Sequence, residues 1–288
     1  MGTLQEQSVK VASDQAWAST APPSRHAAPA SRTLVLLYHT VHLTPEQWQA
    51  QRPAGRRYSV MANQFEAQME YLARAGFQTS SLDDFLDGRS PARSVVITFD
   101  DGHESNLTVA LPVLQRYGFR AEFFVTVSFV GQPRFMTWAQ VKQLHQAGMS
   151  VQAHGLHHQP LTEVPREKLM EELRAAKERI EDQLNSPVNY LALPGGFAND
   201  RVYREAREAG YQAVCNSEPG IARRSTVIPR VAVMHSMAQT AFESVVERKF
   251  FPLLRMRAQR EFGKAAKALL GLDRYEALKN LAMRSGPN

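Results

Sequence analysis

The sequence predicts an α/β protein: an irregular (β/α) barrel of about seven parallel strands followed by a C-terminal helical tail. Three observations carry this expectation. From Thr33 onward, short β-branched or aromatic runs alternate with amphipathic stretches, the pattern of a parallel sheet covered by helices. The 288 residues, 43% apolar and 22% charged, suffice to bury a core without covalent staples. The single cysteine, Cys215, excludes an internal disulfide and a cysteine-built zinc site.

In chain order, residues 1–32 are rich in Ala and Ser, carry Pro22, Pro23 and Pro29, and show no periodicity; they read as a disordered arm. Lys10, Asp14 and Arg25 interrupt any signal-peptide core, and Glu6 stands where a myristoylation pattern needs Ser or Thr. The predicted strands are Thr33–Tyr38, Val95–Phe99, Ala121–Val125, Met149–Ala153, Tyr190–Leu193, Gln212–Cys215 and Val231–Met234. Between them the predicted helices are Ala62–Ala75, Asn106–Tyr117, Trp138–Gln146, Arg166–Leu184 and Asp200–Glu208. Gly76, Gly118, Gly148 and Gly210 stand where helix stops belong, and Thr137 is placed to cap the helix that Trp138 opens. Trp138 itself reads as a packed aromatic rather than a sugar platform. An open doubly wound sheet is the alternative architecture, but no glycine-rich nucleotide signature follows the first strand. No apolar run approaches the ~20 residues of a membrane span.

The barrel domain is expected over residues 33–247 and the tail over 248–288. The tail holds ten Lys/Arg against three acids, so of the overall +6 it carries +7 and the remainder −1. No nucleic-acid surface is therefore expected on the barrel. After Pro252, Leu254, Ala258, Phe262, Ala265 and Leu269 fall within ~80° on a helical wheel, with Arg257, Arg260, Lys264 and Lys267 opposite. Such a helix either packs on the barrel with a solvated basic face, meets an anionic membrane through residues 250–288, or binds a protein or polyanion partner.

Chemistry in either architecture gathers at the carboxyl ends of the strands. Of nine histidines, six (His39, His103, His154, His157, His158 and His235) fall within about four residues after a predicted strand. Thr98-Phe99-Asp100-Asp101-Gly102 follows the apolar run 95–97. Adjacent carboxylates there point in different directions, so one can bind a metal while the other takes a proton. His154-Gly155-Leu156-His157-His158 follows a later strand, and one helical turn would bring His154 and His158 to one face. With Asp101 they make a two-His, one-carboxylate triad, which leaves coordination positions open for water and substrate. His157 is offset and reads as a supporting polar residue.

These motifs, with Pro194-Gly195-Gly196 after the next strand, resemble the NodB-type polysaccharide deacetylases, carbohydrate esterase family 4. The resemblance runs from about Leu34 to Met234 and includes Tyr38-His39, Phe65 to Gly76, Leu111-Pro112 to Phe124 and Trp138 to His158. It implies an irregular barrel and a metal-dependent hydrolase of C–N bonds other than peptide bonds, removing acetyl groups from N-acetylated sugars. Asp100 would be the general base, and Asp101, His154 and His158 would hold one divalent ion. Zinc is the expected ion, with cobalt, nickel or manganese as alternatives. Gly195 and Gly196 would offer an oxyanion donor, and Tyr38, His39 and His103 would line the substrate pocket.

Two departures from the family pattern stand out. Leu193 occupies the place of an arginine that orients the base, for which Arg230 is the candidate substitute. The general-acid histidine has no full motif; His235 is the candidate, with His39 its rival. The substrate class is an N-acetylated glycan or, for a cytoplasmic enzyme bound peripherally at the inner membrane face, a lipid- or nucleotide-linked sugar precursor. A non-catalytic glycan-binding relative, suggested by Leu193, and an O-deacetylase using the same site are the alternatives.

Overall fold

The computed structural model describes residues 32–51, 53–249, 253–258 and 261. The arm expected over 1–32 and most of the tail expected over 248–288 thus lie outside the described residues.

Eleven strands are described: β1 Leu34–Tyr38, β2 Val41–His42, β3 Val60–Met61, β4 Gln78–Thr79, β5 Ser94–Phe99, β6 Glu122–Val125, β7 Ser150–Ala153, β8 Tyr190–Ala192, β9 Ala213–Cys215, β10 Val227–Ile228 and β11 Val231–Ala232. All seven predicted strands are among them, with ends shifted by one or two residues. The main sheet runs β10-β9-β8-β7-β6-β5-β1-β11, parallel throughout, and β4 joins the first half of β5. A separate parallel pair joins β2 to β3. The sheet is a curled, incompletely closed barrel. Its two terminal strands, β10 and β11, are consecutive in the chain, so the seam is bridged covalently by Pro229-Arg230.

Alternation along the strands sorts side chains into two cores. Val35, Val96, Phe124, Tyr190, Ala192, Ala213, Cys215 and Ile228 fill the barrel interior. Leu82 and Phe85 join them from the helix Leu82–Asp87, which closes the bottom of the barrel. The Leu82 amide donates to Glu122 at the start of β6, and the Tyr190 hydroxyl at the start of β8 donates to Asp83. The opposite parity, Leu34, Leu36, Tyr38, Ile97, Phe99, Phe123, Val125 and Val151, packs under the surrounding helices. The interior parity, continued past the strand ends, reaches His39, Asp100, His154 and Arg230. That is how the fold gathers a site at its open end.

The outer helices start and stop as their sequences dictate. Thr137 forms a full capping box with Gln140, a device worth about 1 kcal/mol. Helices Ala62–Arg74, Leu111–Arg116, Trp138–Gln146 and Asp200–Glu208 each run into a left-handed glycine one residue past the cap. Trp138 packs against the outer core, with Arg179 over its ring. Of the described tail, Leu253 is buried, Met256 packs on the core and Arg257 Nε donates to the Pro219 carbonyl at 2.6 Å. Leu254 and Ala258, two residues of the expected apolar stripe, are exposed. The face that docks is the one carrying Leu253 and Met256.

Candidate active site

Asp100 and Arg230 are the centre of the site. The carboxylate is 2% exposed and the guanidinium 0%. They meet through two parallel 2.7 Å hydrogen bonds, Nη1 to Oδ1 and Nη2 to Oδ2. Arg230 also donates from Nε to the Asn216 carbonyl and from Nη1 to Thr98 Oγ1, and lies over the Phe124 ring. Its position on the barrel seam lets it cross the interior to the end of β5. Burial would raise the Asp100 carboxyl, but the Arg230 guanidinium, with His154 and His39, outweighs it and holds the group below the ordinary carboxylate range. Asp100 is therefore ionised and fixed in orientation.

Asp101 takes the opposite course from Asp100 by adopting a left-handed backbone, φ 77°. A non-glycine residue held there stores strain of the kind found at functional sites. Its Oδ1 lies 3.1 Å from His158 Nε2 and 3.4 Å from His154 Nε2, and the three potential ligand atoms fall within 4.8 Å of one another. Neither contact is aligned as a hydrogen bond, so this buried oxygen has no donor. His154 Nδ1 is 3.0 Å from the Ala192 carbonyl, which fixes its proton there and turns the Nε2 lone pair towards Asp101. An orphaned carboxylate oxygen facing two imidazole nitrogens is the donor set a divalent cation requires, so the residues fit the implied metal.

The spacing of His154 and His158 works through a loop, not the helical turn that their four-residue separation suggests. Gly155 at φ 77° and His158 at φ 57° fold the segment back until the two rings are 5.0 Å apart. Glu172 holds this loop from outside. Its Oε1 accepts the Leu156 and His157 amides at 2.9 and 2.8 Å, and its Oε2 lies 2.7 Å from His157 Nδ1.

Other expected residues divide. His39 lies on the interior parity beside the two aspartates. Burial holds its pKa below the ordinary imidazole value, an effect that the charges of Asp101 and Asp100 offset only in part; its Nδ1 has no hydrogen-bond partner. His235, by contrast, stacks on Trp48 with centroids 4.5 Å apart. Burial lowers its pKa, and its backbone amide donates to the Arg57 carbonyl at 3.1 Å. Tyr38 cannot line a pocket: strand alternation turns it outward, fully buried, with its hydroxyl donating to Gln68. Gly195 and Gly196 both adopt positive φ, and a Cβ on Gly196 would collide with Ser217 at 2.7–2.8 Å. The Gly196 amide is already given to the Leu193 carbonyl, so of the pair only Gly195 is left to offer a donor. His103 sits just past Asp101, buried against Ser105 and Phe135. Sequence reading missed Glu172, Trp48 and Tyr58, whose ring lies 5.2 Å from that of His39.

Comparison with known proteins agrees with this geometry. A family model described as polysaccharide deacetylase matches residues 87–214. YxkH of Bacillus subtilis, named provisionally as a polysaccharide deacetylase, is 28% identical over 240 residues, covering 81% of this chain and 80% of the relative. The poly-β-1,6-N-acetyl-D-glucosamine N-deacetylase of Staphylococcus aureus is 28% identical over 219 residues, 67% of this chain and 72% of that protein. Among solved structures, the Streptococcus pyogenes deacetylase PplD in complex with acetate superposes with a TM-score of 0.68 at 24% identity, covering 76% of this chain and 98% of that one.

Proposed function

The chain belongs to the polysaccharide deacetylase family, and from that premise we propose that it hydrolyses the acetamido groups of an N-acetylated glycan or its precursor. The observation that carries this is the buried Asp100–Arg230 pair set against the Asp101, His154 and His158 triad. It supplies a fixed, ionised base that is not itself one of the three ligands. Because Arg230 pairs the base, Leu193 is no argument for a merely glycan-binding protein. The Staphylococcus aureus relative favours a polymer of N-acetylglucosamine as the substrate class.

In this reading Asp101, His154 and His158 hold one divalent ion, for which two imidazoles and a carboxylate best suit zinc. Such an ion supplies Lewis acidity towards the amide carbonyl and the attacking water. Asp100 takes the proton of that water as it adds to the carbonyl carbon, with Arg230 keeping the carboxylate aligned. His39, half-buried beside both aspartates, gives a proton to the departing nitrogen. The C–N bond breaks, and acetate and a free amino sugar leave. Gly195 is the backbone donor available for the developing oxyanion.

Acetate release from β-linked N-acetylglucosamine oligomers, measured with and without chelator, tests the proposal. The full-length protein should release acetate, lose this activity to chelator and regain it with zinc. Asp100→Asn should lose at least about a hundredfold in rate while binding the same amount of zinc. Acetate released from O-acetyl but not N-acetyl glycans would move the assignment to an esterase. Loss of zinc in Asp100→Asn would mean the adjacent aspartates have exchanged roles.

A further inference from the structure

We propose that the hollow beside the triad is an anion subsite, so that this protein prefers a glycan whose sugar next to the reacting acetamido unit carries a carboxylate or phosphate. The glycan in this statement rests on the deacetylase reading; the anion subsite does not.

The hollow has a volume of about 190 Å³, room for a charged substituent and part of its ring. His42, Leu43, His103, Glu104, Ser105 and Arg134 are among its lining residues. His103 follows the ligand Asp101 by two residues and His42 follows His39 by three, so the hollow adjoins the site along both chain segments. None of the reactions assigned above uses it.

Two buried imidazole nitrogens on its lining, His103 Nε2 and His42 Nε2, have no hydrogen-bond partner. His103 Nδ1 accepts the Ser105 amide at 3.1 Å and lies 3.0 Å from Ser105 Oγ, which in turn accepts the Val41 amide at 3.0 Å. An imidazole that accepts at Nδ1 carries its proton on Nε2. That Nε2–H is buried and without an acceptor. His42 is 4% exposed, its Nε2 is equally unpartnered, and the two rings meet edge-on with centroids 6.2 Å apart. A buried polar group left unpaired has lost its hydration without recompense, and a ligand oxygen would restore the missing hydrogen bond.

Arg134 decides the charge of that ligand. This arginine is exposed at the rim of the hollow; among the described residues its guanidinium makes no ion pair or hydrogen bond, and its charge reaches both imidazoles. The residue is held at φ 75°, an unfavourable backbone for arginine, with its carbonyl fixed by the Glu104 amide at 2.9 Å. Glu104 supplies the single carboxylate on the lining; it is exposed at the rim and forms no ion pair with Arg134. A neutral hydroxyl would satisfy the imidazoles and leave the guanidinium alone. An oxyanion satisfies all three.

The test uses zinc-loaded full-length protein and three trimers: N-acetylglucosamine throughout, the same with a carboxylate on the neighbouring unit, and the same with a phosphate there. Values of kcat/KM are compared, and dissociation constants are measured separately by calorimetry on Asp100→Asn protein. One acidic trimer should be preferred about tenfold or more in both measurements, as one charge-assisted contact provides. Which trimer it is identifies the anion. Arg134→Gln should bring the ratio to about one. Arg134→Gly, which removes the same charge and relaxes the left-handed backbone, should do the same. Equal treatment of neutral and acidic trimers, or a preference that survives both substitutions, overturns the subsite. Preferential binding of an acidic trimer with no acetate released from any trimer would uphold the subsite and sink the deacetylase reading instead.

Discussion

Arg230 lies 130 residues from Asp100 in the chain, yet it makes both guanidinium bonds that fix the carboxylate. Removing one partner of such a pair leaves an uncompensated buried charge, at a cost of about 3–5 kcal/mol. Arg230→Met should therefore lose about that much stability in urea unfolding and at least about a hundredfold in acetate release. Adding Asp100→Leu should restore part of the stability and none of the activity, because the orphaned charge is gone but so is the base. The two histidines separate in the same assay. His39→Ala should lower kcat by about 10²-fold or more, as expected for a lost proton donor, whereas His235→Ala, a ring stacked on Trp48, should stay within about tenfold. At this scale Asp100, Asp101, His154 and His158 were legible because residue type and strand-end position coincide. Arg230 was legible only as a candidate, since no local pattern shows which side chain crosses a barrel. His39 outranks His235 once the inward parity of β1 is known, and a run as uniformly apolar as Leu34–Leu37 does not reveal that parity.

The loop 154–158 owes its shape to a different element, the helix Arg166–Leu184. Glu172 projects from the apolar face of that helix, among Leu169, Leu173 and Ala176, and is 4% exposed. An acid in a core position of an amphipathic helix is a readable signal, because burial of a charge requires donors, and here the loop amides and His157 supply them. Glu172→Gln keeps the shape but weakens three charge-assisted contacts. Supports of this kind typically change metal affinity by about 10–100-fold. Competition against a chromophoric chelator should show zinc binding weakened within that range, with the helix content unchanged. Unaltered affinity would show that the loop holds its form without Glu172. The long helices and the six strands of three or more residues were legible from periodicity and from the glycine stops, and β11 was legible because its two residues lie in the longer apolar run Val231–Met234. The two-residue strands β2, β3, β4 and β10 were not, since two residues carry no period, and neither was the short plug helix Leu82–Asp87.

For the molecule as a whole, alternation of strands and helices identified the barrel, but not its open seam, which depends on the pairing of strands far apart in the chain. Charge distribution is the other whole-molecule property that the sequence makes plain, with the basic excess confined to residues 248–288. The described part of that segment docks through Leu253, Met256 and Arg257 and leaves Leu254 and Ala258 exposed. No helix among the described residues is long and apolar enough to cross a membrane. Attraction to an anionic membrane surface is worth ~1 kcal/mol per basic residue close to it, so a few such residues suffice for reversible attachment. The full-length protein should therefore sediment with vesicles containing anionic lipid at low salt and be released as salt shortens the Debye length from ~30 Å at 0.01 M to below ~8 Å. Substituting Arg260, Lys264 and Lys267 together by Glu leaves the docking contacts of Leu253, Met256 and Arg257 in place. Neutralising three attractions alone should weaken vesicle binding by roughly a hundredfold, and the added repulsion should abolish it. If the unsubstituted protein ignores anionic vesicles at low salt, the basic segment serves the barrel and not a membrane surface.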